Sequence, residues 1–364
     1  MKRRDVLLSS ISFAICGQAA SALSTLAGEI SVERITGGLG QPWSFGFLPD
    51  SSVLITERDG AVIRASGATK TKLSGVGDVF ARGQGGLLDV LVPSDFATSR
   101  MVYFTHSKSQ SDGAGTAVER ARLSDDAKAL EDWTVIFEIK PGSSGGRHFG
   151  SRLVEGSDGN LYITVGDRGD RPSSQDTSNE NGSVLRIARD GTIPSDNPLA
   201  KTNGAQPAIW SWGHRNPLGA ALVLEGRLWV AEHGAKGGDE INVIRKGANY
   251  GWPVISYGRH YSGLKIGEGT SKDGMEQPQY FWDPSIAPSG MMFYSGKQVA
   301  DWRGSLFVGS LKFDYISRLS GDPLKEVEEI RIPGAERIRD IREAPDGSIW
   351  VLAAGNGSLY RMSM

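Results

Sequence analysis

A lone cysteine, only five histidines and no long apolar run in its body exclude much from this 364-residue sequence. Cys16 falls inside an N-terminal segment with the form of an export signal, so the rest of the chain has no disulfide and no thiolate chemistry. His106, His148, His214, His233 and His260 never stand at the i, i+4 spacing of a helical zinc pair, which argues against a zinc hydrolase. No Gly-x-Ser-x-Gly elbow sits between a strand and a helix, and no glycine pattern opens a helix as in a P-loop or dinucleotide fold. Beyond residue 22 no stretch approaches the roughly 20 apolar residues of a spanning helix, so no membrane insertion is expected. A net charge of −2 draws the molecule as a whole neither to nucleic acid nor to an anionic membrane. Any anionic ligand must meet a local basic patch.

What is abundant is glycine, 48 residues, alongside 16 prolines and 9 tryptophans. That mixture suits short strands joined by tight turns. In segment 1–22, Lys2, Arg3 and Arg4 precede apolar residues from Val6 to Cys16, and Ala20-Ser21-Ala22 offers a small-residue cleavage site. Paired arginines ahead of apolar residues fit Sec and twin-arginine export alike, and either places the product in the periplasm or outside the cell. From there the chain repeats one pattern, a Pro/Asp/Gly turn leading into an apolar run. It occurs at Leu48-Pro49-Asp50, Ser157-Asp158-Gly159, Glu225-Gly226, Arg303-Gly304 and Pro345-Asp346-Gly347, and each copy reads as a hairpin. Hairpins over the whole length, without amphipathic helical stretches between them, favour four-stranded propeller blades over a pair of β-sandwiches. Roughly 340 residues divided into blades of about 45 to 60 give six or seven. One all-β domain over 23–364 is expected.

Several residues could carry chemistry on such a scaffold. His148 lies among glycines in Gly145-Gly146-Arg147-His148-Phe149-Gly150, where an exposed imidazole could take a proton, although a surface or capping histidine fits as well. Arg337 and Arg339, two apart, share one face of a strand, and Lys312 ends the preceding apolar run. Three such cations suit a multiply anionic ligand or, equally, a solvated outer strand. Arg215 and Asn216 follow Trp210 and Trp212 and could meet a planar ring or sugar hydroxyls. Asp239 and Glu240 follow a glycine-rich loop whose carbonyls are hard donors of the type calcium prefers, without an EF-hand pattern.

Eight segments, in order from Gly40 to the C-terminus, resemble the soluble PQQ-dependent glucose and aldose sugar dehydrogenases, PQQ being pyrroloquinoline quinone. They are Gln41-Pro42-Trp43, Gly83-Gln84-Gly85-Gly86-Leu87-Leu88, His148-Phe149-Gly150-Ser151-Arg152-Leu153, Gly213-His214-Arg215-Asn216-Pro217, Glu232-His233-Gly234, Gly238-Asp239-Glu240-Ile241-Asn242, Asn249-Tyr250-Gly251-Trp252-Pro253 and Arg337-Ile338-Arg339-Asp340. The resemblance implies a six-bladed β-propeller of four-stranded antiparallel blades that oxidises an aldose at C1 to the lactone. By it His148 is the general base and Gln84 touches sugar or quinone. Arg215 and Asn216 meet the quinone and substrate side, and Lys312, Arg337 and Arg339, with Ser310 and Leu311 beside them, hold the cofactor's carboxylates. Tyr261 and Trp282 would line the cleft. The carbonyls of Gly234 and Ala235 would hold a catalytic Ca2+, which acts as a Lewis acid on the quinone, and Glu240 and Tyr250 would belong to a second, structural calcium site.

Two departures stand out. Arg147 precedes the histidine where the glucose-specific branch has an acid, and Ala235 stands where proline often follows the calcium-loop glycine. These features look more like the broad-specificity aldose branch. The resemblance further implies an electron acceptor of unidentified nature and a monomer or homodimer. Two other readings use the same scaffold: a calcium-dependent lactonase, which needs several side-chain carboxylates around its metal, and a non-catalytic carbohydrate-binding propeller.

Overall fold

The computed structural model describes residues 21–364. The export segment and its paired arginines lie outside the described residues, apart from Ser21 and Ala22, which begin a strand paired with Val32 and Ser31. Six antiparallel sheets ring a central axis, five of four strands and one of five. Blade 1 opens on Pro42–Phe47, blade 2 on Leu87–Leu91, blade 3 on Leu153–Glu155, blade 4 on Pro217–Leu222, blade 5 on Pro288–Phe293 and blade 6 on Ile338–Glu343. These first strands are innermost. Each touches the first strand of the next blade, and Ile338–Glu343 returns to Pro42–Phe47 to close the ring. Both termini seal the last blade: Gly28–Thr36 pairs with Ser358–Ser363, and Ser21–Thr25 adds the fifth, outer strand. No helix among the described residues is long and apolar enough to cross a membrane.

The blades cohere through the faces they turn to one another. Val53–Glu57 and Leu306–Ser310 read as near-continuous apolar runs because a neighbouring blade covers each of their faces. Leu54, Val90 and Phe104 join blade 1 to blade 2, and Phe307, Ile338 and Val351 join blade 5 to blade 6 around the buried indole of Trp302.

The central channel is crossed by a layer of buried ions. Arg152 Nη1 lies 3.1 Å from both Asp89 Oδ1 and Asp340 Oδ1. Arg342 Nη2 is 2.8 Å from Asp89 and its Nε is 3.0 Å from Asp340. Ser44 donates to Asp89, so blades 1, 2, 3 and 6 all contribute. Two guanidinium and two carboxylate groups balance, as burial requires. On one side of the layer a cavity reaches Leu88, Gly150, Leu218 and Arg339; on the other, a second is lined by Leu91, Leu153, Ala220 and Ile341. The inner strands thus run from one cavity to the other, and the ion layer divides them.

Candidate active site

His148 lies on the connection that enters blade 3, and its imidazole lines the first cavity. Its Nδ1 is 2.6 Å from Asp167 Oδ1, supplied by the loop that follows Leu161–Val165. Asp167 is fully buried and accepts two more hydrogen bonds, from the Gly169 amide at 2.7 Å and from Trp252 Nε1 at 2.8 Å. Burial opposes its ionisation, yet the bond and charge of His148, with these two donors, hold its carboxyl below the usual range. An ionised carboxylate can only accept, so the ring proton sits on Nδ1 and Nε2 keeps the lone pair. Burial, with the charges of Arg215 and Arg147, pushes the imidazole below its ordinary value against the pull of Asp167.

The backbone here is held in an unusual shape. His148 has φ +52° and Arg168 +54°, the left-handed region that non-glycine residues rarely enter. Neighbours over-determine it. Gln84 Oε1 accepts from the His148 amide at 2.7 Å, and Asn216 Oδ1 from Gly150 at 3.2 Å. Arg168 donates to the Arg147 carbonyl while its guanidinium lies 3.3 Å from the Phe149 ring centre. A Cβ on Gly166 would come within 2.2 Å of the His148 carbonyl oxygen, so this close approach needs glycine.

The cavity has a volume of about 530 Å³, and five cations face it: Arg58, Arg215, Lys312, Arg337 and Arg339. No carboxylate side chain lines it among the described residues. The Nε atoms of Arg58, Arg215 and Arg339 are buried without an acceptor. Desolvation, then the charges of Arg337, Arg152 and Arg58, push the Arg339 guanidinium down to about 9, with only Asp340 opposing. Positive charge gathered without counter-charge, on a wall that includes the Trp43 ring, fits a multiply anionic planar ligand.

A family profile described as Glucose / Sorbosone dehydrogenase matches residues 39–361. The chain is 43% identical to the aldose sugar dehydrogenase YliI of Escherichia coli (strain K12), over 94% of this chain and 95% of that protein. It belongs to the glucose/sorbosone dehydrogenase family. Its fold matches the crystal structure of the soluble aldose sugar dehydrogenase of Escherichia coli in the apo form at a TM-score of 0.89, with 42% identity, covering 92% of this chain and 99% of that one. It also matches the PQQ-bound form of an aldose sugar dehydrogenase from Streptomyces coelicolor at a TM-score of 0.75, with 26% identity, covering 94% and 99%.

In this glucose/sorbosone dehydrogenase most of the residues singled out from sequence do converge. His148, Gln84, Arg215, Asn216, Tyr261, Leu311, Lys312, Arg337 and Arg339 all line the one cavity. Two do not. Trp282 sits on the outermost strand of blade 4 and turns into the core against blade 5, where its Nε1 donates to Glu326 at 2.9 Å. Ser310 is fully buried, and its hydroxyl donates to the Ile286 carbonyl and accepts the Phe313 amide, bracing the turn that presents Leu311 and Lys312. Conversely, Asp167, Arg58 and Trp43 join the site although no local pattern in the sequence marks them for it. His233 also lines the cavity, but its Nε2 meets the Pro288 carbonyl at 2.7 Å and desolvation pushes it down to about 4.

The calcium positions expected from sequence lie beside the cavity. Among the described residues no cluster of three His, Cys, Asp or Glu side chains is placed to hold a metal. Oxygen donors of another kind are present. The Gly234 carbonyl accepts a hydrogen bond from Arg215 Nη1, and Ala235 is buried against Trp252 and Ile266. Glu240 lies across the strand pair from Glu232, and Asn242 Nδ2 bridges the two carboxylates at 3.2 and 3.0 Å. Desolvation and the Glu232 charge push Glu240 up to about 8. A paired carboxylate so disfavoured as an anion suits a divalent cation. The Tyr250 hydroxyl donates to the Val243 carbonyl and accepts the Arg245 amide, which leaves the Tyr250 carbonyl as its available donor.

Proposed function

We propose that this family member oxidises aldose sugars at C1 to the lactone using PQQ and calcium. The observation that carries the reading is the His148–Asp167 pair opening onto a cavity with five cations and no carboxylate on its wall. Bound PQQ supplies a hydride acceptor and the negative charge this wall lacks. His148 Nε2 takes the C1 hydroxyl proton, and buried Asp167 steadies the imidazolium that results. Lys312, Arg337 and Arg339 hold the cofactor's carboxylates, while Arg215, Asn216 and Gln84 bound the space beside the base. The carbonyls of Gly234 and Ala235 would hold the catalytic calcium, which would supply Lewis-acid chemistry at the quinone. Glu240, Glu232 and the Tyr250 carbonyl hold a second. Export to the periplasm or beyond follows from the basic, apolar N-terminal segment. A metal-dependent lactonase lacks its carboxylates in this wall, and a purely sugar-binding propeller gives the cations no task.

Supplying purified apoprotein with PQQ and calcium and following dye reduction by aldoses tests the reading. Dye reduction that requires the sugar, PQQ and calcium is expected; lactone hydrolysis without dye reduction would replace it by the lactonase.

The pH profile follows from the base. Turnover requires neutral His148, so kcat/KM falls as pH drops through its pKa, and this acid limb lies below the ordinary imidazole value of about 6.5. Arg147→Ala removes one of the charges that depress it, so the limb moves toward higher pH. An unmoved limb would show that Arg147 does not act on the ring.

Calcium should raise the Tm of metal-stripped protein. At about 100 times its Kd, a ligand bound only by the native state adds about 2.7 kcal/mol. Glu240→Gln should lose most of this shift, and a stripped protein indifferent to calcium would remove the site.

A further inference from the structure

We propose that Arg58 is a positioning residue that couples filling of the cleft to the placement of His148. The proposal rests on the reading of the cleft as a PQQ site. Arg58 follows Val53–Glu57 of blade 1 and faces the cavity as one of its five cations. Its Nη2 donates to two carbonyls, Gly83 and, at 3.1 Å, Gly85, which flank Gln84 on both sides. Its own carbonyl accepts the Leu87 amide at 3.1 Å. Arg58 therefore grips the Gln84 turn from two directions.

Gln84 passes that constraint on. Its amide donates to the Gly146 carbonyl at 2.8 Å, and its Oε1 accepts from the His148 amide at 2.7 Å. The contacts are too close for side chains: a Cβ on Gly86 would lie 2.2 Å from the Arg58 carbonyl, and one on Gly83 2.2 Å from the Gly146 carbonyl. A continuous path thus leads from a cavity-facing guanidinium to the backbone that holds the base at φ +52°. Burial partly desolvates the Arg58 charge, and its Nε is buried without an acceptor among the described residues. An anionic ligand in the cleft offsets that charge and steadies the arrangement, already formed, in which Nη2 reaches both carbonyls.

A lysine keeps the charge, but its stem ends one bond short of Nη2, the single nitrogen that donates to both carbonyls, so it cannot reach the pair from the same backbone position. Arg58→Lys should therefore bind PQQ within about threefold of wild type by titration, while kcat falls toward the roughly 100-fold loss that misplacement of a catalytic group by about 1 Å brings. The KM for sugar should change far less. Amide hydrogen exchange gives a second readout. PQQ should slow exchange at Gln84 and His148 in the wild type, and this protection should be lost in Arg58→Lys and Arg58→Gln at saturating PQQ. Arg339→Ala, saturated with PQQ, should retain it. Wild-type kcat and wild-type protection in Arg58→Lys, or in Arg58→Gln should the lysine variant not fold, would overturn the proposal. Failure of the wild type itself to bind PQQ would instead overturn the cofactor reading.

Discussion

Asn in place of His148 lowers kcat by roughly 100- to 10,000-fold, the span typical of general base catalysis, and leaves PQQ binding intact. A sugar C1 hydroxyl is too weak an acid to ionise unaided at neutral pH. Asn keeps a polar group of similar size but cannot accept the proton. The partner of the ring gives a graded companion result. Asp167→Asn replaces an acceptor-only carboxylate with an amide that can donate to Nδ1, which allows the proton to move to Nε2 and disarm the base. Its kcat should fall by at least about tenfold, with the sugar KM less affected. Near wild-type reduction of bound PQQ by an aldose in His148→Asn would sink the mechanism. His233 would be a poor substitute, because its Nε2 is committed to the Pro288 carbonyl.

The second large effect belongs to Arg339, and it has two signs. Loss of one charge-assisted bond costs roughly 1.5 to 3 kcal/mol, about one to two decades in affinity, so Arg339→Met should weaken PQQ binding by that much. The same change should raise the Tm of the apoprotein. Arg339 is desolvated among Arg337, Arg152 and Arg58, and a flexible apolar side chain of similar length removes that repulsion while still packing near Trp43. Arg337, which is exposed at the rim, should show a smaller version of both effects. Unchanged PQQ affinity together with unchanged apoprotein Tm would show that this wall is no anion clamp.

The blades were legible in the sequence because each hairpin announces itself locally, through a turn of Pro, Asp or Gly followed by an apolar run. Their closure was not. Gly28–Thr36 finds Ser358–Ser363 from the far end of the chain, and no local pattern encodes a partner that distant. Short motifs that entered the cavity as units, such as Arg215-Asn216, were readable for the same local reason. Asp167 was not, because the loop Val165 to Asp170 looks like any glycine-rich turn until the fold brings it 2.6 Å from His148. Trp282 shows the reverse error. The resemblance implied a cleft aromatic at this position, but strand alternation turns its indole toward blade 5.

The ion layer of Arg152, Asp89, Asp340 and Arg342 stands between the cavity and the second one beyond it, so on this side a ligand meets a floor of paired charges. On the proposed chemistry, sugar, lactone and electron acceptor all compete for the space beside the cofactor on that one side. Oxidation of one partner and reduction of the next become successive visits, a ping-pong order imposed by architecture. Excess sugar then obstructs its own enzyme by standing in the space the acceptor needs.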